Sequence, residues 1–372
     1  MAAGKGLIKL DWLTIFLYFA LVAIGWMNIY SASLDDSATT FWDFDQIYTK
    51  QLLWIFLSVV LIIFILAIEA KFYERFSSVI YLVSLLSLLG LFLFGKTISG
   101  ATSWYSFGVI SLQPSEFAKA ATALALSKYL TDIQTDLNQF KDQLKAFLII
   151  ALPAIFIIPQ PDPGSALIYA AFVFPLYREG LHFVYLLLGF FAAALFISTL
   201  AFGTFWVILA VVLIAGFLFF RKRKKRPNLF KYLVIVVACI GFSFSVSYIF
   251  NNIFEQRHRD RFNIVLGKEI DSKGIGYNTN QSEIAIGSGR WLGKGWTEGT
   301  QTKGKFVPEQ HTDYIFSTVG EEWGFLGSML VVLLFVGLIV RVLFLAERQK
   351  NSFSRVYGYS VAAILFFHFF VN

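Results

Sequence analysis

Apolar runs about one bilayer long recur along nearly the whole chain, separated by short polar and basic stretches. Uncharged or nearly uncharged blocks cover residues 12–30, 52–68, 77–95, 146–158, 164–177, 183–220 and 232–250. Two more, 114–130 and 313–340, carry a few charges, and a last block, 356–372, runs to the end of the chain. A bilayer core takes roughly 20 apolar residues per helix, so each block predicts a membrane helix, some of them short. The block 183–220 is too long for one span, and Gly203 offers the turn that makes it two, 183–202 and 204–220. The pattern predicts an all-α, polytopic helical membrane protein of about eleven segments, forming one membrane domain. One long Gly-, Asn- and charge-rich passage, 251–312, is too polar to be a span and predicts a large loop outside the membrane.

Composition narrows the class further. The chain is 57% hydrophobic and only 15% charged, against about 25% charged in soluble proteins, which excludes that class. The aromatic excess, 42 Phe and 9 Trp, is mainly lipid-facing and interfacial packing and identifies no ligand. The single cysteine, Cys239, falls within an apolar block, so no disulfide framework exists. The first block, 12–30, lacks a small-residue cleavage site and is long enough to stay in the membrane.

Net charge is +7, and the bases fall in alternate loops. Lys5 and Lys9 precede the first span, whereas Asp35, Asp36, Asp43 and Asp45 follow it. Lys71 and Arg75, then Lys128, Lys141 and Lys145, Arg178, Arg221 to Arg226, and Arg341 to Arg355 mark the other basic loops. The positive-inside rule then places the N-terminus in the cytoplasm and puts 96–113, 160–163 and 251–312 outside. The run RKRKKR (221–226) reads as a topology anchor touching anionic lipid rather than a nucleic-acid patch.

Three constellations carry candidate chemistry. Asp313 follows His311-Thr312 and opens the helix of block 313–340, with Glu321 and Glu322 two turns deeper. An acid favoured by the helix dipole is one reading; a general base at the membrane boundary is the other. Buried carboxylates there need partners, which the lysines and arginines of the outer surface can supply. The second constellation is Trp104 with QPSEFAK (113–119), where Glu116 and Lys119, three apart, face one another. They form either an internal ion pair or a diphosphate site with Lys119 as binder and Glu116 as orienter. The third, QPDPG (160–164), holds Gln160 and Asp162 in an outer turn, with Asp162 as a turn acid or a ligand for a cation or sugar. Arg257, Arg259, Arg261, Lys268, Lys294, Lys303 and Lys305 make the outer loop a phosphate-binding surface or simply solvated charge. His258 and His311 are too isolated for a zinc site.

The chain resembles the SEDS family (shape, elongation, division and sporulation proteins), and within it the RodA branch. The residues that carry the likeness are QPSEFAK (113–119), QPDPGSA (160–166), GYNTNQSEIAIGSGRWLGKGWTEGTQ (276–301), FVPEQHTDYIF (306–316) and GEEWGFLG (320–327), in family order. The GKGW…GTQ wording is closer to RodA than to FtsW. The resemblance implies a SEDS-type bundle in the bacterial cytoplasmic membrane and a peptidoglycan glycosyltransferase serving cell elongation and rod shape. It implies lipid II as substrate, a class B penicillin-binding protein and the elongation machinery as partners, and contact with membrane lipids but not nucleic acid.

The family's essential aspartate falls on Asp313, and its important Trp, Glu and Lys fall on Trp104, Glu116 and Lys119. Lys119 and the loop arginines would neutralise the leaving diphosphate together with Mg²⁺ or Mn²⁺; holding that metal, instead of acting as base, is the alternative role for Asp313, and no organic cofactor is implied. Rival readings are a lipid II flippase, with polar residues marking a path across the bilayer, and a non-catalytic scaffold for the penicillin-binding protein. The chain departs from the family pattern twice. Three helices rather than one stand between the QPD-G helix and the outer loop, and the chain stops at Asn372, before the family's final helix with its PLISYGG-like motif, so the C-terminal end reads as truncated.

Overall fold

Asp11 starts the first helix: its side chain accepts a hydrogen bond from the backbone N–H of Thr14 (3.0 Å), and α1 (Trp12–Ser33) follows. The computed structural model describes residues 10–34, 46–98, 101–107, 110–222, 228–254, 256–268 and 275–371. The loop acids Asp35, Asp36, Asp43 and Asp45, the N-terminal Lys5 and Lys9, and most of the RKRKKR run lie outside the described residues. After α1 come α2 (Ile47–Ala67) and α3 (Ala70–Phe94).

The segment 96–113, read from sequence as a loop, holds a three-stranded antiparallel meander, β1 (Lys96–Ile98), β2 (Ala101–Phe107) and β3 (Ile110–Leu112). Its β-branched and aromatic residues suit a pleated, half-buried surface. Lys96 pairs with Trp104 and Tyr105 with Leu112. The Tyr105 hydroxyl donates to the carbonyl of Ser87 (2.7 Å), which fixes this sheet against α3.

Helix α4 (Pro114–Leu130) begins with proline at its first turn, where a missing N–H costs nothing. It is rich in Ala, and Ala121 through Ser127 are all buried, so protein rather than lipid surrounds its middle. Small residues allow neighbouring backbones to approach closely in membranes. Helix α5 (Phe140–Ile157) starts six residues earlier than the hydropathy of block 146–158 predicts. Its first turn is held by Asp142, which accepts from the Tyr129 hydroxyl (2.9 Å) and the N–H of Asp136 (3.1 Å).

Block 164–177 is not one α-helix. It runs as α6 (Pro163–Leu167), a 3₁₀ turn (Ile168–Phe172) and α7 (Val173–Arg178). Helices α8 (Val184–Phe202) and α9 (Thr204–Arg221) meet at Gly203, whose φ of 85° suits glycine. Then come α10 (Leu229–Asn252), and in the polar passage α11 (Gln256–Val265), α12 (Ile275–Ser288) and α13 (Thr300–Lys303). Two long helices, α14 (Ile315–Glu347) and α15 (Ser352–Val371), finish the chain.

Eight of these helices, α1, α2, α3, α8, α9, α10, α14 and α15, are long and apolar enough to cross a membrane. The protein is therefore a multi-pass membrane protein. By their contacts the residues fall into two compact units, 1–183 with 285–372, and 184–284. The reason is that α8, α9 and α10 pack chiefly on one another, around Leu195, Val207 and Cys239. In the larger unit α15 packs on α14, α4, the 3₁₀ turn and α7, and α1 packs on α14. Away from the polar passage, Arg341 of α14 binds Asp11 in front of α1 through two hydrogen bonds, and this guanidinium holds the Asp11 carboxyl well below the usual carboxylate range.

Helix α14 is broken at Gly324 (φ 66°, ψ −162°). The backbone groups freed by the break find partners in the passage before it. The N–H groups of Lys294 and Gly295 donate to the carbonyls of Glu321 and Glu322 (3.0 Å each). The N–H groups of Phe325 and Leu326 donate to the carbonyls of Arg290 and Trp291 (2.8 and 3.1 Å). Residues 290–295 thus replace a turn of helix, as an apolar environment requires for unpaired backbone. The approach is so close that a Cβ on Gly293 (φ 79°) would stand 2.1 Å from the carbonyl oxygen of Glu322. Gly293→Ala is expected to destabilise the protein by at least about 1 kcal/mol. Gly189→Ala in α8, where a Cβ meets nothing within 4 Å, is expected to be neutral or to stabilise by up to ~1 kcal/mol. Thermal unfolding in detergent compares them, and equal melting of the two variants would refute the replaced turn.

Candidate active site

Glu321 has no solvent exposure, so its carboxylate depends entirely on the protein for hydrogen bonds. It finds them along one stretch of the polar passage. Oε1 accepts from Lys294 Nζ (2.7 Å), the N–H of Gln301 (2.9 Å) and the Thr300 hydroxyl (3.3 Å). Oε2 accepts from the N–H and hydroxyl of Thr302 (2.9 and 2.8 Å). Two of these donors are N–H groups of the first turn of α13, which have no partner within that helix. One buried charge therefore gathers residues 294–302 around the top of α14.

Glu322 is also buried and accepts from the Ser31 hydroxyl near the end of α1. Trp296 Nε1 donates to the carbonyl of Met27 (3.0 Å), and its ring lies 5.7 Å from that of Tyr30. Gln310 Nε2 donates to the carbonyls of Ala32 (2.9 Å) and Thr302 (3.0 Å). The C-terminal end of α1 is thereby tied to the segment that leads into Asp313. Asp313 stands in the turn just before α14, with Tyr314 as the helix cap, rather than opening the helix itself. Its side chain is exposed and accepts no hydrogen bond from the described residues.

The second constellation assembles at the start of α4. Lys119 is 2% exposed, and its Nζ lies 2.8 Å from Glu116 Oε1 and 2.5 Å from His368 Nε2 of α15. Asp162 caps α6, accepting from the N–H (3.0 Å) and hydroxyl (2.8 Å) of Ser165, and it also accepts from Gln113 Nε2 (3.0 Å). QPSEFAK and QPDPGSA, separate in sequence, thus meet. Gln160 is buried and serves the framework: its Nε2 donates to the carbonyl of Leu88 (3.0 Å), and its own carbonyl accepts from Thr102 (3.3 Å). Trp104 is half-buried in β2.

Several expectations for the basic residues change. Lys294, expected on a phosphate-binding surface, has its ammonium engaged by Glu321 and Thr300. Lys303 pairs with Glu298 at 3.0 Å. Arg259 belongs to the smaller unit, where it donates to the carbonyl of Asn251 (3.0 Å). The side chains of Arg257, His258 and Arg261 lie outside the described residues. His368 was not anticipated, although an ionisable residue in an apolar span is itself a functional signal. Ser31, Thr302 and Gln310 were missed too, because nothing local marks a polar residue whose partner is far away in sequence.

A bundle of membrane helices with an exposed aspartate beside a framework of buried carboxylates, and a lysine buried against a glutamate, has the make-up of a membrane-embedded enzyme rather than a purely structural span. The chain belongs to the cell cycle protein family of FtsW, RodA and SpoVE, whose model matches residues 11–230 and 203–372. Among curated relatives, the peptidoglycan glycosyltransferase MrdB of Escherichia coli (strain K12) is 30% identical over 98% of this chain and 83% of its own length. The fold is similar to the rod shape determining protein RodA of Thermus thermophilus (TM-score 0.61, 21% identity, 98% of this chain and 85% of that one). It is also similar to a chain of a peptidoglycan synthase complex that coordinates polymerization and crosslinking (TM-score 0.70, 22% identity, 98% and 86%).

Lys294→Met tests the carboxylate framework. Removing one partner of a buried pair costs about 3–5 kcal/mol when both are fully buried; with Lys294 26% exposed, the loss is expected at or below the low end of that range. Hydrogen exchange at the amides of Gln301 and Thr302 should accelerate together with the fall in melting temperature. Unchanged protection of both amides would show that Lys294 does not hold this stretch in place.

Proposed function

We propose that this chain is a peptidoglycan glycosyltransferase of the bacterial cytoplasmic membrane that polymerises lipid II on the outer face, with Asp313 as its general base. The observation that carries this reading is the contrast among carboxylates. Glu321, Glu322 and Asp162 accept hydrogen bonds from their neighbours, whereas Asp313 is exposed and accepts none from the described residues. A base must keep a lone pair for its substrate, and its segment must be held still; the bonds of Gln310 to Ala32 and Thr302 supply the second condition.

In this reading Asp313 takes the proton from the 4-hydroxyl of the GlcNAc of an incoming lipid II. The freed oxygen attacks the anomeric carbon of the MurNAc at the end of the growing chain. The bond from that carbon to the diphosphate breaks, undecaprenyl diphosphate leaves, and the configuration inverts. Lys119, held by Glu116, offsets the charge that develops on the leaving group. Among the described residues no three His, Cys, Asp or Glu side chains come together as a metal cage. Holding Mg²⁺ or Mn²⁺ with the substrate phosphates is the alternative role for Asp313, in place of proton abstraction. Such an ion would neutralise diphosphate oxygens. The family relationship and the similarity to the synthase complex support a class B penicillin-binding protein as partner, and the distribution of bases supports a cytoplasmic N-terminus.

The test is polymerisation of purified lipid II in detergent with that partner and Mg²⁺ or Mn²⁺. Asp313→Asn is expected to lose about 10²–10⁴ of the rate, the usual share of general-base catalysis, while remaining folded and partner-bound. Equal glycan from both proteins would remove Asp313 from the mechanism. A folded, partner-bound wild type that makes no glycan would overturn the enzyme in favour of a flippase or scaffold.

A further inference from the structure

Lys119 is gripped from two helices. Glu116, one turn back on α4, lies 2.8 Å from its Nζ, and His368, near the end of α15, lies 2.5 Å from it on another side. Lys119 as a whole is 2% exposed, while the side chain of Glu116 is 49% exposed. The lysine can therefore meet a ligand only on the side where Glu116 is open.

The two partners do different work. Glu116 supplies the countercharge of the lysine at 2.8 Å. An ammonium has three donors and no acceptor, so His368 Nε2 is the accepting nitrogen and the ring carries its proton on Nδ1. A neutral acceptor adds no countercharge; it adds direction. A lysine is a compact charge on a flexible four-carbon stem, and with Glu116 alone on the same helix that stem remains free to turn. A second fixed acceptor on α15 sets two of the three N–H directions and with them the third. Helices α4 and α15 pack on one another, and both bury apolar residues besides the histidine, among them Ala118 and Ala121 on α4 and Val356 and Ala362 on α15.

We propose that His368 is a positioning residue that aims the Lys119 ammonium at the diphosphate of a polyprenyl-linked substrate. The ligand class rests on the function proposed above, whereas the geometry of the grip does not. A diphosphate fits because it offers closely spaced anionic oxygens to a single directed donor. The hydrogen bonds of the Asp162 carboxylate come from Ser165 and Gln113 rather than from the lysine.

The experiment uses the full chain in detergent and three variants. His368→Gln keeps a side-chain acceptor, His368→Leu removes it, and His368→Phe removes it while retaining a ring should Leu fail to fold. Melting temperature and monodispersity identify the folded fraction, to which all values are normalised. The first readout is binding of undecaprenyl diphosphate; the second is kcat and KM for lipid II polymerisation. His368→Leu or Phe is expected to weaken binding and lower kcat by about tenfold or more, the scale of one hydrogen bond to a charged group. His368→Gln is expected to stay within about threefold of wild type. Equal damage from Gln and Leu, wild-type binding in the acceptor-less variants, or no binding by the wild type would each overturn the proposal. A packing role alone would lower melting temperature and leave binding per folded molecule unchanged. Binding that depends on His368 in a protein that makes no glycan would leave this inference standing and sink the polymerase reading instead.

Discussion

A charge that has left water must be satisfied by what surrounds it, and in this protein the rest of the polar end follows from that requirement at Glu321. The carboxylate lies just above the break in α14, where the helix has also given up its own backbone hydrogen bonds. Both deficits are met by the same stretch of chain: residues 290–295 restore the backbone pairing, and residues 294–302 bring donors to the side chain. Removing either set would strand the other, since a polar group without a partner is costly in an apolar setting. Through Thr302 and Gln310 the same arrangement reaches the segment before Asp313. The surroundings of the exposed aspartate are tied, through Thr302 and Gln310, to a fully buried glutamate.

Helix α4 solves a related problem differently. It holds Glu116 and Lys119 in an alanine-rich helix, packed by α3, α5 and α15. Polar residues in a membrane are tolerated where they face protein rather than lipid. The small side chains that let the neighbours close in on α4 also let an imidazole from α15 reach its lysine.

Much of the architecture was legible because hydropathy reports lipid contact directly. The apolar blocks around α1, α2, α3, α8, α9, α10, α14 and α15 announce themselves, and Gly203 and Pro114 mark local backbone needs that only those residue types meet easily. The same signal fails where protein replaces lipid. It misplaced the start of α5 and took a segment with a 3₁₀ middle for one helix. Short strands between helices leave a weak trace, so the meander at 96–112 went unseen. In the candidate site, motif spacing identified Glu116 with Lys119, and the need of buried carboxylates for basic partners anticipated Lys294 beside Glu321 in kind. The grip of His368, the hydroxyl of Ser31 and the anchoring role of Gln310 are long-range pairings, and no local pattern encodes the other half of such a pair.

The broken helix also bears on the order in which the molecule is put together. Ribosomes deliver residues 290–295 before α14, so the stretch that will replace a helical turn is synthesised before the turn it replaces. When α14 follows, its kinked upper part cannot settle as an isolated span, because four backbone groups and a carboxylate would face lipid unpaired. It becomes stable only by joining the chain already made. Insertion and tertiary docking, separate stages for an ordinary apolar helix, are here one event, and the hydrophobicity of α14 alone is a poor guide to how readily it enters the bilayer.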